Sequence, residues 1–343
     1  HAGHDADLLA VAARPLVVLW PEARYERAFA RAYVPLVYTE KAKHPGHLHV
    51  LGVFFAKDWM ALVMASALLA PNPLLTALGL AFLMVSYAIV YEIGYHENDY
   101  LGRQREKKPI SSEERIALAG TVHEGLAWLF GALVAVPGTF LLAYSGASAW
   151  LVTGQTIAGT ALLLGLWLGL LALIRATFWL FNRIDERSRM LLHLPLQLMK
   201  GLWLVWVLSL PLSFAGAALL LANSTCAWIP YVVYRMGGVR WETPDNLVRL
   251  LVLLAIVTGA AAMGEGAALL TWQALAVLSW AVYKARNDGV RFVRAAHFLA
   301  DRDAPAAPSE GMPLSPLRGP GGFRMSGAAA PQRSPHIGDA GSD

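Results

Sequence analysis

Long apolar runs recur along this chain. A run of about 20 such residues reads as a helix crossing a bilayer, because the hydrocarbon core is about 30 Å thick and each helical residue rises about 1.5 Å. Scanning for them places eight segments near residues 50 to 70, 74 to 95, 118 to 143, 149 to 178, 195 to 213, 216 to 236, 246 to 263 and 266 to 285. The expected fold is all-α, a polytopic membrane bundle of about eight transmembrane helices. Composition agrees: of 343 residues only 15% are charged and 56% are hydrophobic, against about 25% charged in an ordinary soluble domain. A water-soluble globule is excluded on those grounds.

The loops set the orientation. Pro71-Asn72-Pro73, the Ser145-Gly146-Ala147 turn, the corner from Pro211 to Gly216 and the Gly264-Glu265-Gly266 turn contain no Lys or Arg. The alternate loops hold Arg103, Arg105, Lys107, Lys108 and Arg115, then Arg183, Arg187 and Arg189, then Arg235 and Arg240. Basic residues also precede the first run (Arg24, Arg27, Arg31, Lys41, Lys43) and follow the last (Lys284, Arg286, Arg291, Arg294). Under the positive-inside rule this alternation predicts an even number of spans with both termini cytoplasmic. It also divides 195 to 236, otherwise readable as one long helix and a loop, into two spans.

The same rule accounts for the net charge of +4 without a nucleic-acid partner, since the cations sit beside apolar runs rather than along a soluble face. A single cysteine, Cys226, excludes a disulfide framework or thiolate cluster. The chain opens on His1 with no basic, apolar, small-residue leader pattern, and this start reads as a fragment edge. Residues 1–47 are expected to form a cytoplasmic or interfacial segment and 48–290 the bundle. A juxtamembrane stretch, 291–302, leads to a Pro-, Gly-, Ala- and Ser-rich tail, 303–343, that is expected to be disordered.

The densest polar chemistry follows the second run, in Tyr91-Glu92-Ile93-Gly94-Tyr95-His96-Glu97-Asn98-Asp99 and on through Arg103, Glu106, Lys107 and Lys108 to Pro109-Ile110. A continuing helix puts Glu92, His96, Asp99 and Glu106 along one face. Ionisable groups at the membrane boundary face a cavity or a partner, so this is a candidate site, with a salt-bridged cytoplasmic loop as the plainer alternative.

Here the sequence resembles the UbiA-type prenyltransferase superfamily. That family's first motif is Asn-Asp-x-x-Asp-x-x-x-Asp at the end of the second helix, trailed by a basic residue, Pro and an aliphatic residue. Asn98 and Asp99 match its opening, Glu106 its last acidic position and Lys108-Pro109-Ile110 its trailing element, while Gly102 stands at the middle acidic position. A second acidic motif belongs between the sixth and seventh helices, where this chain offers Glu242 and Asp245.

The resemblance implies a UbiA-like bundle that moves an isoprenyl group from a prenyl diphosphate to a lipid or aromatic acceptor at a cytoplasm-facing cleft. It implies Mg²⁺ held by Asn98, Asp99, Glu106, Glu242 and Asp245, with Asp99, Glu106 and Asp245 as the catalytic acids. Arg103, Lys107, Lys108 and Arg240 would meet the diphosphate. Polar Asn223 in the sixth run and the pair Lys57 and Asp58 in the first complete the expected substrate-binding set, because unpaired charges at that depth are costly. A non-enzymatic transporter or lipid-binding protein with the same bundle is the alternative, favoured by Gly102 and the sparse second motif.

Three further features have plainer readings. The cluster from Asn182 through Asp185, Glu186, Arg187 and Arg189 reads as a salt-bridged loop. His44, His47, His49, His96, His123 and His193 read as interfacial histidines, lacking the repeated close pairs of membrane di-iron enzymes. The twelve Trp residues read as interface anchors and packing residues.

Overall fold

A computed structural model describes residues 33–44, 48–105, 122–151, 156–237 and 244–300, with the side chains of 103–105, 268 and 295–300 outside that set. Every regular element among them is helical. We number α1 Val50–Leu69, α2 Pro73–Arg105, α3 Glu124–Ser145, α4 Thr156–Arg183, α5 Arg189–Met199, α6 Leu202–Val207, α7 Phe214–Gly237, α8 Asp245–Ala262 and α9 Trp272–Ala300. Six of these, α1 to α4, α7 and α8, are long and apolar enough to cross a membrane. The chain divides into two units, His1–Val293 and Arg294–Asp343, and the site lies in the first.

Two of the expected runs take other forms. The run 195 to 213 is interrupted: α5 ends at Met199, Gly201 adopts φ −125° and ψ −90°, and α6 is a separate six-residue helix. Hydropathy registers only side chains, and the break is in the backbone. The run 266 to 285 is shared between a short 3₁₀ turn, Glu265–Leu269, and the start of α9. Its apolar residues within α9 end before Lys284, which leaves them short of a bilayer's width.

Packing follows residue size and the few buried polar groups. α2 and α3 approach closely where Gly79 and Gly138 cross, so that a Cβ on either would lie about 3 Å from the other's carbonyl oxygen. Small residues allow such crossings in apolar bundles, where backbone proximity supplies the dispersion contacts. Trp167 of α4 donates to Ser86 Oγ of α2 at 3.0 Å inside the core. Gln273, at the start of α9, donates to the carbonyls of Met64 and Ala65 at 2.8 and 2.9 Å, satisfying acceptors where α1 kinks at Ser66.

Carboxylates fasten the segment before α1. Fully buried Glu92 accepts from Tyr33 Oη at 3.1 Å and from the amides of Leu36 and Thr39 at 3.0 and 2.8 Å. Glu40 accepts from the amides of His49 and Val50 at 2.9 and 2.7 Å, capping the first turn of α1. Glu92 therefore stitches chain to helix.

Candidate functional site

The first ten residues of α1, Val50–Trp59, wind as a π-helix. Its i→i+5 bonding places about one more residue in each turn than an α-helix does, and such turns concentrate at functional sites. The wider turn brings His49, Val53, Phe54, Lys57 and Asp58 onto one wall of a cavity of about 380 Å³, which also takes in Lys200 of the α5–α6 connection and Asp245 of α8. An adjoining lobe of about 320 Å³ contains Lys43, His44, Asn98 and Arg235. The lobes share Tyr91, Tyr95, His193 and Gln197, so they form one divided cleft at the end of the bundle where α2 and α7 finish and α8 begins.

Aromatic rings line this cleft. Tyr87, Tyr91 and Tyr95 fall four residues apart on α2 and therefore on one face. Tyr87 and Tyr91 stack with centroids 4.9 Å apart, and Tyr95 meets Tyr91 edge-on at 5.0 Å. His193 stacks on Tyr231 at 4.3 Å, and His44 stacks on His49 at 3.6 Å.

The charges are arranged as pairs. Asp58, nearly fully buried, accepts from Lys200 Nζ at 2.9 Å and from Asn223 Nδ2 at 3.1 Å. Lys57 lies 3.4 Å from the half-exposed Asp245 carboxylate, a loose contact. Asp99 accepts from Lys43 Nζ and, at 2.9 Å, from Tyr38 Oη. Just outside, Glu97 binds both Arg175 and Arg183 of α4.

His193 is held neutral. Burial first, and then the charges of Lys200 and Arg235, push its imidazole down from 6.5 to about 4. The folded pKa is the lower one, so between about 4 and 6.5 the unfolded chain binds a proton that the folded chain refuses, and stability falls as pH drops through that window. Thermal unfolding in detergent should therefore show the midpoint descending from pH 6.5 towards pH 4, with His193→Gln flattening the descent. An equal slope in both proteins would contradict the assignment.

Of the residues anticipated from sequence, the structure brings Lys57, Asp58, Asn98 and Asp245 to the cleft walls, with Asn223 behind Asp58. Asp99 is turned to Tyr38 and Lys43. Glu106, Lys107, Lys108, Arg240 and Glu242, and the side chain of Arg103, lie outside the described residues, as do residues 1–32 and the tail 303–343. Among the described residues no three His, Cys, Asp or Glu side chains converge as a metal site. Of the expected magnesium ligands, Asp99 and Asp245 each face a lysine, and Glu106 and Glu242 lie outside the described residues.

Sequence reasoning missed the Tyr87, Tyr91 and Tyr95 ladder, although its spacing of four was readable. It also missed Lys200, a lone cation inside an apolar run and open to the argument that singled out Lys57 and Asp58. His193 and Gln197 carried no such signal. No protein-family model, curated protein or solved structure matches the chain.

Proposed function

We propose that this chain is an intramembrane transferase that binds a prenyl diphosphate in the divided cleft and passes the prenyl group to a lipid or aromatic acceptor. The observation that carries this reading is the meeting of Asn98 and Asp245 on the walls of adjoining lobes. They come from the two chain regions whose residues resemble the UbiA-type motifs, 147 positions apart, and they meet among four cations and a tyrosine ladder. In this reading the bundle crosses the membrane eight times, counting the interrupted run 195 to 213 and, for the last crossing, the turn Glu265–Leu269 together with the start of α9, with both termini and the cleft on the cytoplasmic side.

The reaction breaks the allylic C–O bond, the electron pair leaving with the diphosphate, and forms a bond from that carbon to the acceptor, whose proton is released. Lys43, Lys57, Lys200 and Arg235 stabilise the charge gathering on the departing diphosphate. The ring faces of Tyr87, Tyr91 and Tyr95 stabilise the positive charge left on the allyl group by cation–π attraction. Neutral His193 holds the shared wall without adding a cation. The described residues provide this chemistry through cations, and no step here is assigned to magnesium.

Amphiphile binding without transfer is the second reading, favoured by the ion-pairing of Asp58, Asp99 and Asp245. The test is incubation of purified protein with radiolabelled geranylgeranyl diphosphate and membrane lipid extract, with and without magnesium. Retention of label and release of diphosphate are expected, both falling roughly ten- to a hundredfold in Asn98→Ala and Lys57→Gln, as loss of a hydrogen bond to a charged group implies. Binding without release supports the second reading, and no binding removes both.

A further inference from the structure

Next to the cleft, where α1, α8 and α9 meet, a guanidinium is buried without a counter-charge. Arg249, one turn along α8 from Asp245, is 1% exposed, and neither its Nε nor its Nη1 has a hydrogen-bond partner. It lies 5.5 Å from the ring centroid of Trp280 on α9, and it takes part in none of the ion pairs among the described residues. Lys284 of α9 is close enough to feel the charges of both Arg249 and Lys57. Three helices thus direct three cations at one junction.

Two carboxylates stand against these three cations, Asp288, which accepts from the amide of Asn246 at 3.0 Å, and Asp245, 3.4 Å from Lys57, so the five groups together leave one positive charge. The N-terminus of the 18-residue α8 adds its own partial positive charge. A buried Arg whose Nε and Nη1 meet no partner among the described residues is an incomplete structure, because bundle-buried cations are otherwise paired with counter-ions or with ligand.

We infer that Arg249, Lys57 and Lys284 hold a phosphate group, the planar fork of Arg249 gripping two oxygens while the partly exposed lysines form the approach. Two carboxylates already face the three cations, and a phosphate group supplies the acceptors that Nε and Nη1 of Arg249 lack. Its source is either an anionic phospholipid headgroup or a free phosphate compound, which share this chemistry. The inference goes beyond prenyl transfer: the site shares Lys57 with the cleft, but Arg249 and Lys284 line neither lobe, so their variants report on this site and not on the cleft.

The experiment places the whole chain in phosphatidylcholine nanodiscs and adds inorganic pyrophosphate in one arm and 20 to 30% phosphatidylglycerol, or about that fraction, in the other. Thermal unfolding is followed in the parent, Arg249→Met, which keeps the packing on Trp280, and Lys284→Gln. At least one probe should raise the parent's midpoint by several degrees. Half-saturation should shift at least tenfold in Arg249→Met and in Lys284→Gln. With no probe present, Arg249→Met should be at least as stable as the parent, because it removes an uncompensated charge. A response to phosphatidylglycerol alone names the lipid, and one to pyrophosphate alone names the free compound. No response in the parent, an unchanged response in Arg249→Met, or a variant that fails to fold without ligand overturns the site, whatever the outcome with prenyl diphosphate.

Discussion

Asp58→Ala should lower the stability of the folded bundle by about 3–5 kcal/mol, the range for removing one partner of a buried ion pair. Only 2% of the Asp58 side chain and 13% of that of Lys200 meet solvent, so the lysine left behind loses its counter-ion and has little water to replace it. The substitution also strips Asn223 Nδ2 of its acceptor, in a residue whose Oδ1 already lacks a partner. The double variant Asp58→Leu with Lys200→Met removes both charges, and it should recover most of the loss, because apolar replacements of similar volume are tolerated where half a pair is not. Intrinsic fluorescence melts in detergent measure all three. An alanine variant that melts with the parent, or a double variant as damaged as the single, would show that this pair is not what holds α1 to the α5–α6 connection.

Gly216→Ala should be the second severe change, costing roughly 1–3 kcal/mol or more as an overpacking substitution. A Cβ at 216 would press on the backbone of Ala65, about 3.0 Å from its Cα and closer still to its carbonyl oxygen. That carbonyl cannot swing aside freely, since Gln273 Nε2 is bonded to it at 2.9 Å. Relief requires α1 to slide along α7, which shifts Lys57 and Asp58 at its other end. Gly165→Ala on α4 is the control: a Cβ there meets nothing within 4 Å, and the change should stabilise the helix by about 0.5–1 kcal/mol. Midpoints that fall together in the two variants would argue against a steric cause.

Hydropathy resolved the long helices well because bilayer-length apolar runs have few alternatives. It placed α1, α7 and α8 closely at both ends, found α2, α3 and α4 with one or both ends displaced by more than a turn, and failed at Gly201 and at 266 to 285, where backbone angles and a short turn rather than side-chain polarity decide. The candidate site was legible where a charge stood in an expensive place: Lys57 and Asp58 advertised a partner by their depth. That partner, Lys200, is 142 positions away in sequence, and one-dimensional spacing carries no information about which distant cation closes such a pair. The acidic face of α2 was readable as a row but not as a division of labour. Glu92 serves the loop before α1, and Asp99 serves Tyr38 and Lys43. Two carboxylates seven residues apart on one face met different neighbours, and tertiary contacts assigned their roles.

The π-wound start of α1 makes the cleft depend on chain length as much as on residue identity. An α-helix turns about 100° per residue, so a single deletion that let this stretch rewind would carry one of its two adjacent charges off the cavity wall without altering any side chain. The stretch from Val50 to Trp59 should therefore tolerate exchange of its outward residues better than a change in their number, and an insertion or deletion there should act as a change of chemistry.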